Sequence, residues 1–349
     1  MNAHFLLAPM AELSHRPLRE LIENFGGCDE YFTEMISAGP LLGGGPFEHW
    51  YMDAGPCSAK VVYQLVGSDP DQLVRAAALL DSRDCLGLDI NMGCAAPAIR
   101  RTGAGVAWMA SIDKAGALIA RLRPAVKKRL SVKLRIGFTD DFDYLLNFCR
   151  RLEGEGIELI TLHPRTAGEK FRRSPRWNYV SALRRELHIP VAGNGDIVTA
   201  ADLLLRADSV PGAILAGTAG TGGPAEQGDK PIMVPGAAPV MVGRAAVRCP
   251  WIFAEARRKT APGAIDLEEI SLRFLELLAR YQPPEFYISR ARRFFNYFCD
   301  NLKWAHYVKT LLNRETELGG IERVLRGYFG EHPEERFKKI DGFTDKMYT

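Results

Sequence analysis

The sequence has no cysteine pair with metal-ligand or redox spacing: its seven cysteines are scattered and no Cys-x-x-Cys occurs. An odd, dispersed set argues against a disulfide framework and against a cysteine-rich zinc or iron–sulfur site. The His, Asp and Glu residues show no metal-ligand spacing either, so we expect no bound metal. The pattern predicts reduced thiols in a cytoplasmic protein.

Long apolar runs are also missing. No stretch approaches the ~20 consecutive apolar residues of a membrane span, and the first ten residues lack the basic region of a signal peptide. We therefore expect no membrane association, and we expect a monomer. The net charge is only +3, so a nucleic-acid-binding role would need a local basic surface rather than an overall excess of cations.

Strand-like apolar segments alternate with helical segments over the first three quarters of the chain. The eight predicted strands lie at 5–10, 30–36, 60–67, 85–90, 130–137, 157–165, 189–196 and 239–246. Such alternation predicts a parallel α/β sheet, and eight units of this length favour a (β/α)8 TIM barrel. A doubly wound sheet is the alternative, which the absence of Gly-x-Gly-x-x-Gly after the first strand disfavours.

The pattern changes at two places. Residues 211–239 are rich in glycine and proline but lack the Gly-Lys-Ser/Thr ending of a phosphate loop, so we interpret them as a surface insertion. Later, strand signals stop and helical patterns follow at 267–281, 286–302, 304–312 and 321–329. We predict a catalytic barrel domain over 1–262 and a small C-terminal helical domain over 263–349.

A TIM barrel carries its active site at the carboxyl ends of its strands. The predicted ends present Pro9 with Met10, Glu34, Gln64, Asn91 with Cys94, Lys133 with Arg135, His163 with Arg165, Asn194 with Asp196, and Gly243 with Arg244. The set suits an anionic, planar, phosphorylated ligand. Glycine amides and arginine side chains can bind a phosphate. Gln64 can hydrogen-bond to the edge of a ring, and Lys133 can stabilise negative charge on a reduced ring. Cys94 follows a buried strand and lies on a loop that can present its thiol to a bound ligand.

Seven short motifs follow one another along the chain: Ala8-Pro9-Met10, Thr33-Glu34-Met35-Ile36-Ser37, Asp89-Ile90-Asn91-Met92-Gly93-Cys94, Lys133-Leu134-Arg135, His163-Pro164-Arg165-Thr166, Gly193-Asn194-Gly195-Asp196-Ile197 and Val242-Gly243-Arg244. In order and content they resemble those of the tRNA-dihydrouridine synthases over about residues 5–255. The resemblance implies an FMN-binding barrel that uses NADPH, and the helical tail is compatible with the family's tRNA-binding domain.

The resemblance also implies residue roles. Reduced FMN gives hydride to C6 of a uridine flipped out of the tRNA, and Cys94 protonates C5. An ordinary cysteine thiol is mostly protonated at neutral pH, as an acid must be. Asn91 and Arg165 are expected against the uridine, and Glu34 receives no definite role. The flavin-binding positions are Pro9, Met10, Ala11, Gln64, Lys133, His163, Asn194, Gly195, Asp196, Gly243 and Arg244.

The tail has a locally basic segment at 286–314 with interleaved aromatic residues. Its aromatic residues are interpreted as the buried, core-facing side of a helix. Three of its cations are candidates for contact with RNA phosphates, weighed against a solvated helix face: Arg290, Arg292 and Arg293.

Two alternatives remain open. Ala95 and Ala98 stand in the loop after Cys94, where the family usually has proline and often a basic residue, and Pro164 replaces the usual glycine. The departures at Ala95 and Ala98 motivate an RNA-binding homologue without turnover. The other alternative is an FMN-dependent reductase of a free base, of the dihydropyrimidine or dihydroorotate type, which gives no reason for the basic tail.

Overall fold

Eight parallel strands close into a barrel in chain order, and β1 completes the ring by pairing with β8. The computed structural model describes residues 3–169, 172–208, 238–257 and 264–339. This closure confirms the predicted (β/α)8 fold and excludes a doubly wound sheet, whose edge strands do not meet. The strands are β1 (Phe5–Leu7), β2 (Glu30–Ser37), β3 (Val61–Val66), β4 (Gly87–Met92), β5 (Arg129–Leu134), β6 (Leu159–Leu162), β7 (Val191–Asn194) and β8 (Val240–Val242).

The helices around the barrel follow from capping and apolar periodicity. Asp69 accepts hydrogen bonds from two amides of the first turn of the helix that Pro70 begins, and Leu73 and Leu80 lie on its buried face. These helices are α1 (Arg16–Glu23), α2 (Ala38–Leu42), α3 (Glu48–Tyr51), α4 (Pro70–Asp81), α5 (Pro97–Arg101), α6 (Ile112–Leu122), α7 (Phe142–Gly154), α8 (Trp177–Glu186), α9 (Ala200–Asp208), α10 (Arg244–Arg248) and α11 (Ile252–Ala256).

Alternation along the strands separates the helix-facing core from the barrel interior. In β4, Leu88 and Ile90 belong to the main apolar core, whereas Asp89 and Asn91, on the opposite face, are buried polar residues. A separate apolar cluster contains Leu6, Ala8, Phe32, Val62, Leu159, Ala192 and Met241. The interior of the barrel therefore combines an apolar cluster with buried polar groups that lie near the strand ends.

The C-terminal region is helical, as predicted, with α12 (Leu267–Tyr281), α13 (Pro284–Phe298), α14 (Ala305–Leu312) and α15 (Leu318–Glu331). A short antiparallel pair that the sequence did not predict, β9 (Ile265–Asp266) with β10 (Phe337–Lys338), joins its two ends. The rings of Phe274 and Phe294 stack at 3.7 Å, which agrees with the interpretation of the tail aromatics as core. Helix α12 contacts α1, and α13 contacts α10.

Two sequence predictions concern residues that the structure mostly does not describe. The boundary predicted at 262/263 and nearly all of the segment predicted at 211–239 lie outside the described residues. All seven cysteines are free thiols. Within the described ranges, no helix has the length and apolar character needed to cross a bilayer.

Candidate active site

A cavity of about 560 Å³ opens at the carboxyl ends of the barrel strands, and one side of it is formed by α13. It is lined by residues that follow six of the eight strands, so side chains far apart in sequence converge there. The predicted residues in its wall are Pro9, Met10, Ala11, Asn91, Cys94, Lys133, His163, Arg165, Asn194, Gly195, Asp196, Gly243, Arg244 and Arg293. Three predicted residues, Gln64, Arg290 and Arg292, are not part of this lining.

The backbone of Cys94 is held from both sides. Its amide donates to Asn91 Oδ1 at 2.8 Å, and its carbonyl accepts from the amide of Val106 at 2.9 Å. Gly105, at φ +62°, packs so closely that a Cβ there would lie 2.5 Å from the Cys94 carbonyl oxygen. The half-buried thiol is therefore presented to the cavity from an anchored point of the loop.

Lys133 and Arg135 give one wall of the cavity a positive charge. Burial, together with the charge of Arg135, lowers the pKa of Lys133 to about 8. Among the described residues the Lys133 ammonium makes no hydrogen bond or close ion pair, and the charge of Asp89 only partly offsets the lowering of its pKa. Arg135 is fixed by the carbonyls of Gly93 at 3.1 Å and Thr166 at 3.2 Å. A cation at the cavity wall without a close carboxylate partner suits an anionic ligand.

Arg165 organises the neighbouring wall. It is 1% exposed and donates to Asp196 Oδ2 at 2.5 Å, and its Nη1 lies 3.0 Å from His163 Nε2. Burial, reinforced by the charges of nearby cations including Lys133, lowers the pKa of His163 to about 2. The imidazole is therefore neutral. Since an arginine only donates, Nε2 accepts this bond and the ring proton lies on Nδ1.

The loop after β7 brings backbone close to the cavity. Asn194 is fixed by a 2.8 Å bond from its Nδ2 to the carbonyl of Met241. Gly195 has φ +128°, and a Cβ there would lie 3.0 Å from the His163 ring. Only glycine fits this conformation and this contact without strain. The same loop then turns through Asp196, at φ +49°.

Two residues beneath the cavity connect the site to the barrel interior. Gln64, predicted at a ring edge, is fully buried; its Nε2 donates to Asp89 Oδ2 at 2.7 Å and its Oε1 accepts from Asn91 at 2.9 Å. Burial raises the pKa of Asp89 to about 6. The sequence reasoning assigned no role to Asp89 or to Arg135. Their two-residue spacing from Asn91 and Lys133, which places them on the same strand face, would have indicated both.

The three tail arginines occupy different environments. Arg293, half exposed, lines the cavity beside Tyr297. Arg292 donates to the carbonyl of Glu315 at 2.8 Å and lies away from the cavity. Arg290 is 2% exposed and donates to Glu34 Oε2 at 2.6 Å. The assignment of Arg290 to RNA contact is corrected, because a guanidinium this buried does not reach a phosphate at the surface.

A closed parallel barrel whose strand ends converge on a cavity with several cations and a cysteine in its wall defines a TIM-barrel protein with a candidate site at the usual end of the barrel. Residues 6–225 match the family model for dihydrouridine synthase. The chain belongs to the dihydrouridine synthase family.

Relatives match both regions of the chain. The tRNA-dihydrouridine(16) synthase of Cupriavidus necator is 26% identical, over 94% of this chain and 98% of that protein. The tRNA-dihydrouridine synthase B of Yersinia pestis is 27% identical, over 72% of this chain and 70% of its own length. The first of these alignments extends through the helical C-terminal region.

Proposed function

We propose that this protein is a tRNA-dihydrouridine synthase that uses FMN and NADPH. The observation that carries the proposal is the meeting of the Cys94 thiol and the Lys133 ammonium in one cavity, in a chain of the dihydrouridine synthase family. The thiol can supply the proton for the uracil, and the cation can stabilise negative charge on a reduced flavin beside it.

The residues of the cavity fit a flavin phosphate ligand. The Lys133 ammonium needs an anionic partner, and Gly195 and Gly243 leave backbone open to the cavity where a phosphate needs close approach. When bound, FMN supplies the hydride for C6 of the uracil, and NADPH replenishes it. The residues proposed to hold FMN are Pro9, Met10, Ala11, Lys133, His163, Asn194, Gly195, Asp196, Gly243 and Arg244, with Gln64 beneath them.

Cys94 acts as the general acid in this proposal. Its thiol gives a proton to C5 of the uracil, and the anchored backbone at Cys94 keeps the sulfur at the cavity wall. Asn91 and Arg165 line the same cavity and are proposed to face the uracil. Both are held by other side chains, Asn91 by Gln64 and Arg165 by Asp196, so they offer a fixed edge to a base that enters.

The C-terminal region is proposed to bind the tRNA. Helix α13 places Arg293 and Tyr297 at the cavity, where a cation suits phosphate and an aromatic ring suits a splayed base. Arg173, whose side chain is 75% exposed, follows β6 and adds a further cation. We assign catalysis to residues 1–262 and tRNA binding to 263–349, in a cytoplasmic monomer that needs no metal.

Mass spectrometry of tRNA that lacks dihydrouridine tests the proposal. After incubation with the protein, FMN and NADPH, one mapped uridine should gain two hydrogens, and free uracil under the same conditions should remain unchanged. Reduction of the free base without reduction of tRNA would contradict the proposal and identify a free-base reductase. Bound, NADPH-reducible flavin with no reduction of either substrate would contradict it in favour of a homologue without turnover.

A further inference from the structure

A chain of hydrogen bonds runs from the barrel interior to the backbone of Cys94. Gln64 Nε2 donates to Asp89 Oδ2 at 2.7 Å, and Asn91 Nδ2 donates to Gln64 Oε1 at 2.9 Å. Asn91 Oδ1 in turn accepts from the amides of Gly93 at 3.2 Å and Cys94 at 2.8 Å. Every bond in this chain therefore has its donor on the side nearer to Cys94: Gln64 donates to Asp89, Asn91 donates to Gln64, and Cys94 donates to Asn91.

Side-chain amides can be turned either way, so something must fix the direction of this chain. The two ends of the chain are the groups that cannot be turned: an ionised Asp89 carboxylate only accepts, and the backbone amides of Gly93 and Cys94 only donate. Asp89 thus supplies the acceptor end that the direction requires. Asp89 is fully buried, and its other oxygen, Oδ1, is already engaged by Ser131 Oγ at 2.7 Å. Burial raises the pKa of Asp89 to about 6, but donors face both of its oxygens, Gln64 Nε2 at Oδ2 and Ser131 Oγ at Oδ1, so the carboxylate accepts on both sides.

The direction then follows in steps. If Gln64 were turned, its carbonyl oxygen would face the Asp89 carboxylate, and two acceptors would meet in a buried site. The carbonyl oxygen of Gln64 must therefore face Asn91, and Asn91 must donate to it with its NH2 group. Only this orientation leaves Asn91 Oδ1 facing the loop, where it can accept from the amide of Cys94.

We propose that Asp89 is a positioning residue that sets the direction of the chain through Gln64 and Asn91 and thereby holds the Cys94 backbone at the cavity. The inference rests on the proposed function, because positioning by Asp89 matters for activity only if the Cys94 thiol must be held in place to protonate the substrate. Strand register supports it: Gln64, Asp89 and Ser131 are direct partners across β3, β4 and β5.

Amide hydrogen exchange at Gly93 and Cys94 tests the inference without reference to activity. The FMN-loaded wild type is compared with Asp89→Asn, with the double variant Gln64→Met and Asp89→Ala, and with Ser131→Ala. The double variant removes the chain and leaves no buried charge. Ser131→Ala removes a donor to Asp89 and keeps the direction of the chain, so it is the matched control.

Exchange of the two loop amides should accelerate about tenfold or more in the double variant, since a hydrogen bond of ordinary strength is lost. Asp89→Asn should give a smaller increase, because an asparagine can offer Gln64 either its oxygen or its NH2 group, and only one choice preserves the direction. Ser131→Ala should change exchange by less than about threefold. The kcat for uridine reduction should fall in the same order, with the KM for tRNA unchanged.

Wild-type exchange at both amides in Asp89→Asn and in the double variant would overturn the inference. If the double variant does not fold, the single variant Asp89→Ala decides, because it leaves Gln64 without its acceptor, and unaltered exchange there overturns the inference. Accelerated exchange in a protein whose wild type reduces no tRNA would support the positioning role of Asp89 while contradicting the proposed function, so the two failures are distinguishable.

Discussion

Glu34 and Arg290 are 256 residues apart in sequence and meet in a buried ion pair of 2.6 Å. The other oxygen of the same carboxylate accepts from the amide of Glu12 at 2.6 Å, in the loop that follows Met10 and lines the cavity. Burial raises the pKa of Glu34, and the charge of Arg290 opposes that rise. One carboxylate thus joins the C-terminal helix α13 to the cavity loop after β1.

Loss of one partner of this pair should destabilise the protein strongly. Arg290→Met leaves Glu34 buried without its cation, a change that typically costs about 3–5 kcal/mol in the free energy of unfolding. The double variant Arg290→Met and Glu34→Gln should recover much of that loss, because no charge then remains buried. Urea denaturation of the two single variants and the double variant gives the coupling energy. Additive effects of the two substitutions would contradict a direct pair.

The neighbouring Arg293 should behave in the opposite way. Its side chain is 49% exposed, so Arg293→Ala should change the free energy of unfolding by less than about 0.5 kcal/mol. Affinity for tRNA should fall. The slope of log affinity against log salt concentration should become shallower by about one unit, because about one counterion fewer is released. Filter binding over a salt series measures both. An unchanged slope would remove Arg293 from the RNA surface.

This contrast shows what the sequence could and could not predict. The eight strands and the convergence of their ends followed from alternation and from the barrel rule, and the structure confirmed the fold. Arg290 and Arg293 belong to the same basic segment, and their sequence context is nearly the same. Which one lies in the junction depends on the angle at which α13 meets the barrel, and that angle is set by tertiary packing rather than by local pattern.

The same limit applied to the residues beneath the cavity. Gln64 could be placed at a strand end from its position in β3, but the direction of its amide depends on Asp89 in the neighbouring strand. A pairing register, and not a motif, brings these two side chains together. The sequence therefore predicted the residues that line the cavity better than the buried residues that hold them in place.

Lys133 should make flavin affinity depend on pH. Burial lowers its pKa to about 8, so the flavin-free protein loses this charge as pH rises through that value. A flavin phosphate or an anionic ring binds the protonated form better, and FMN affinity should therefore weaken above about pH 8. Fluorescence titration of the flavin-free protein with FMN across pH measures this effect. Lys133→Met should bind FMN more weakly, with no such step near pH 8.

The stability of the flavin-free protein should change with pH in the opposite direction to its FMN affinity. The folded pKa of Lys133 is lowered from 10.5 to about 8, so between these values the unfolded chain binds more protons than the folded protein. The contribution of Lys133 to the free energy of unfolding should rise with pH across that window. Below it the burial penalty is fully present. Urea denaturation of wild type and Lys133→Met at pH 7.5 and 9.5 isolates this contribution, and equal pH dependence of the two proteins would contradict it.

Gly195 should tolerate no side chain. Gly195→Val combines an unfavourable φ of +128° with a Cβ 3.0 Å from the His163 ring, so the loop after β7 must shift and retained flavin should fall severalfold. Gly154→Ala is the control, because a Cβ at that helical position meets nothing within 4 Å. The flavin-to-protein absorbance ratio after purification compares them. Full flavin content in Gly195→Val would show that the loop adapts without affecting the site.

The role of Cys94 as the proton donor is tested most directly by separating the two half-reactions in wild type and Cys94→Ala. The first measurement is the rate at which NADPH bleaches the flavin absorbance. The second is the rate at which tRNA lacking dihydrouridine reoxidises the reduced protein without oxygen, with the product mapped by mass spectrometry. The account predicts that Cys94→Ala is reduced at the wild-type rate and then reoxidised by tRNA at least about 100-fold more slowly. Equal reoxidation rates, with the same dihydrouridine formed, would contradict it.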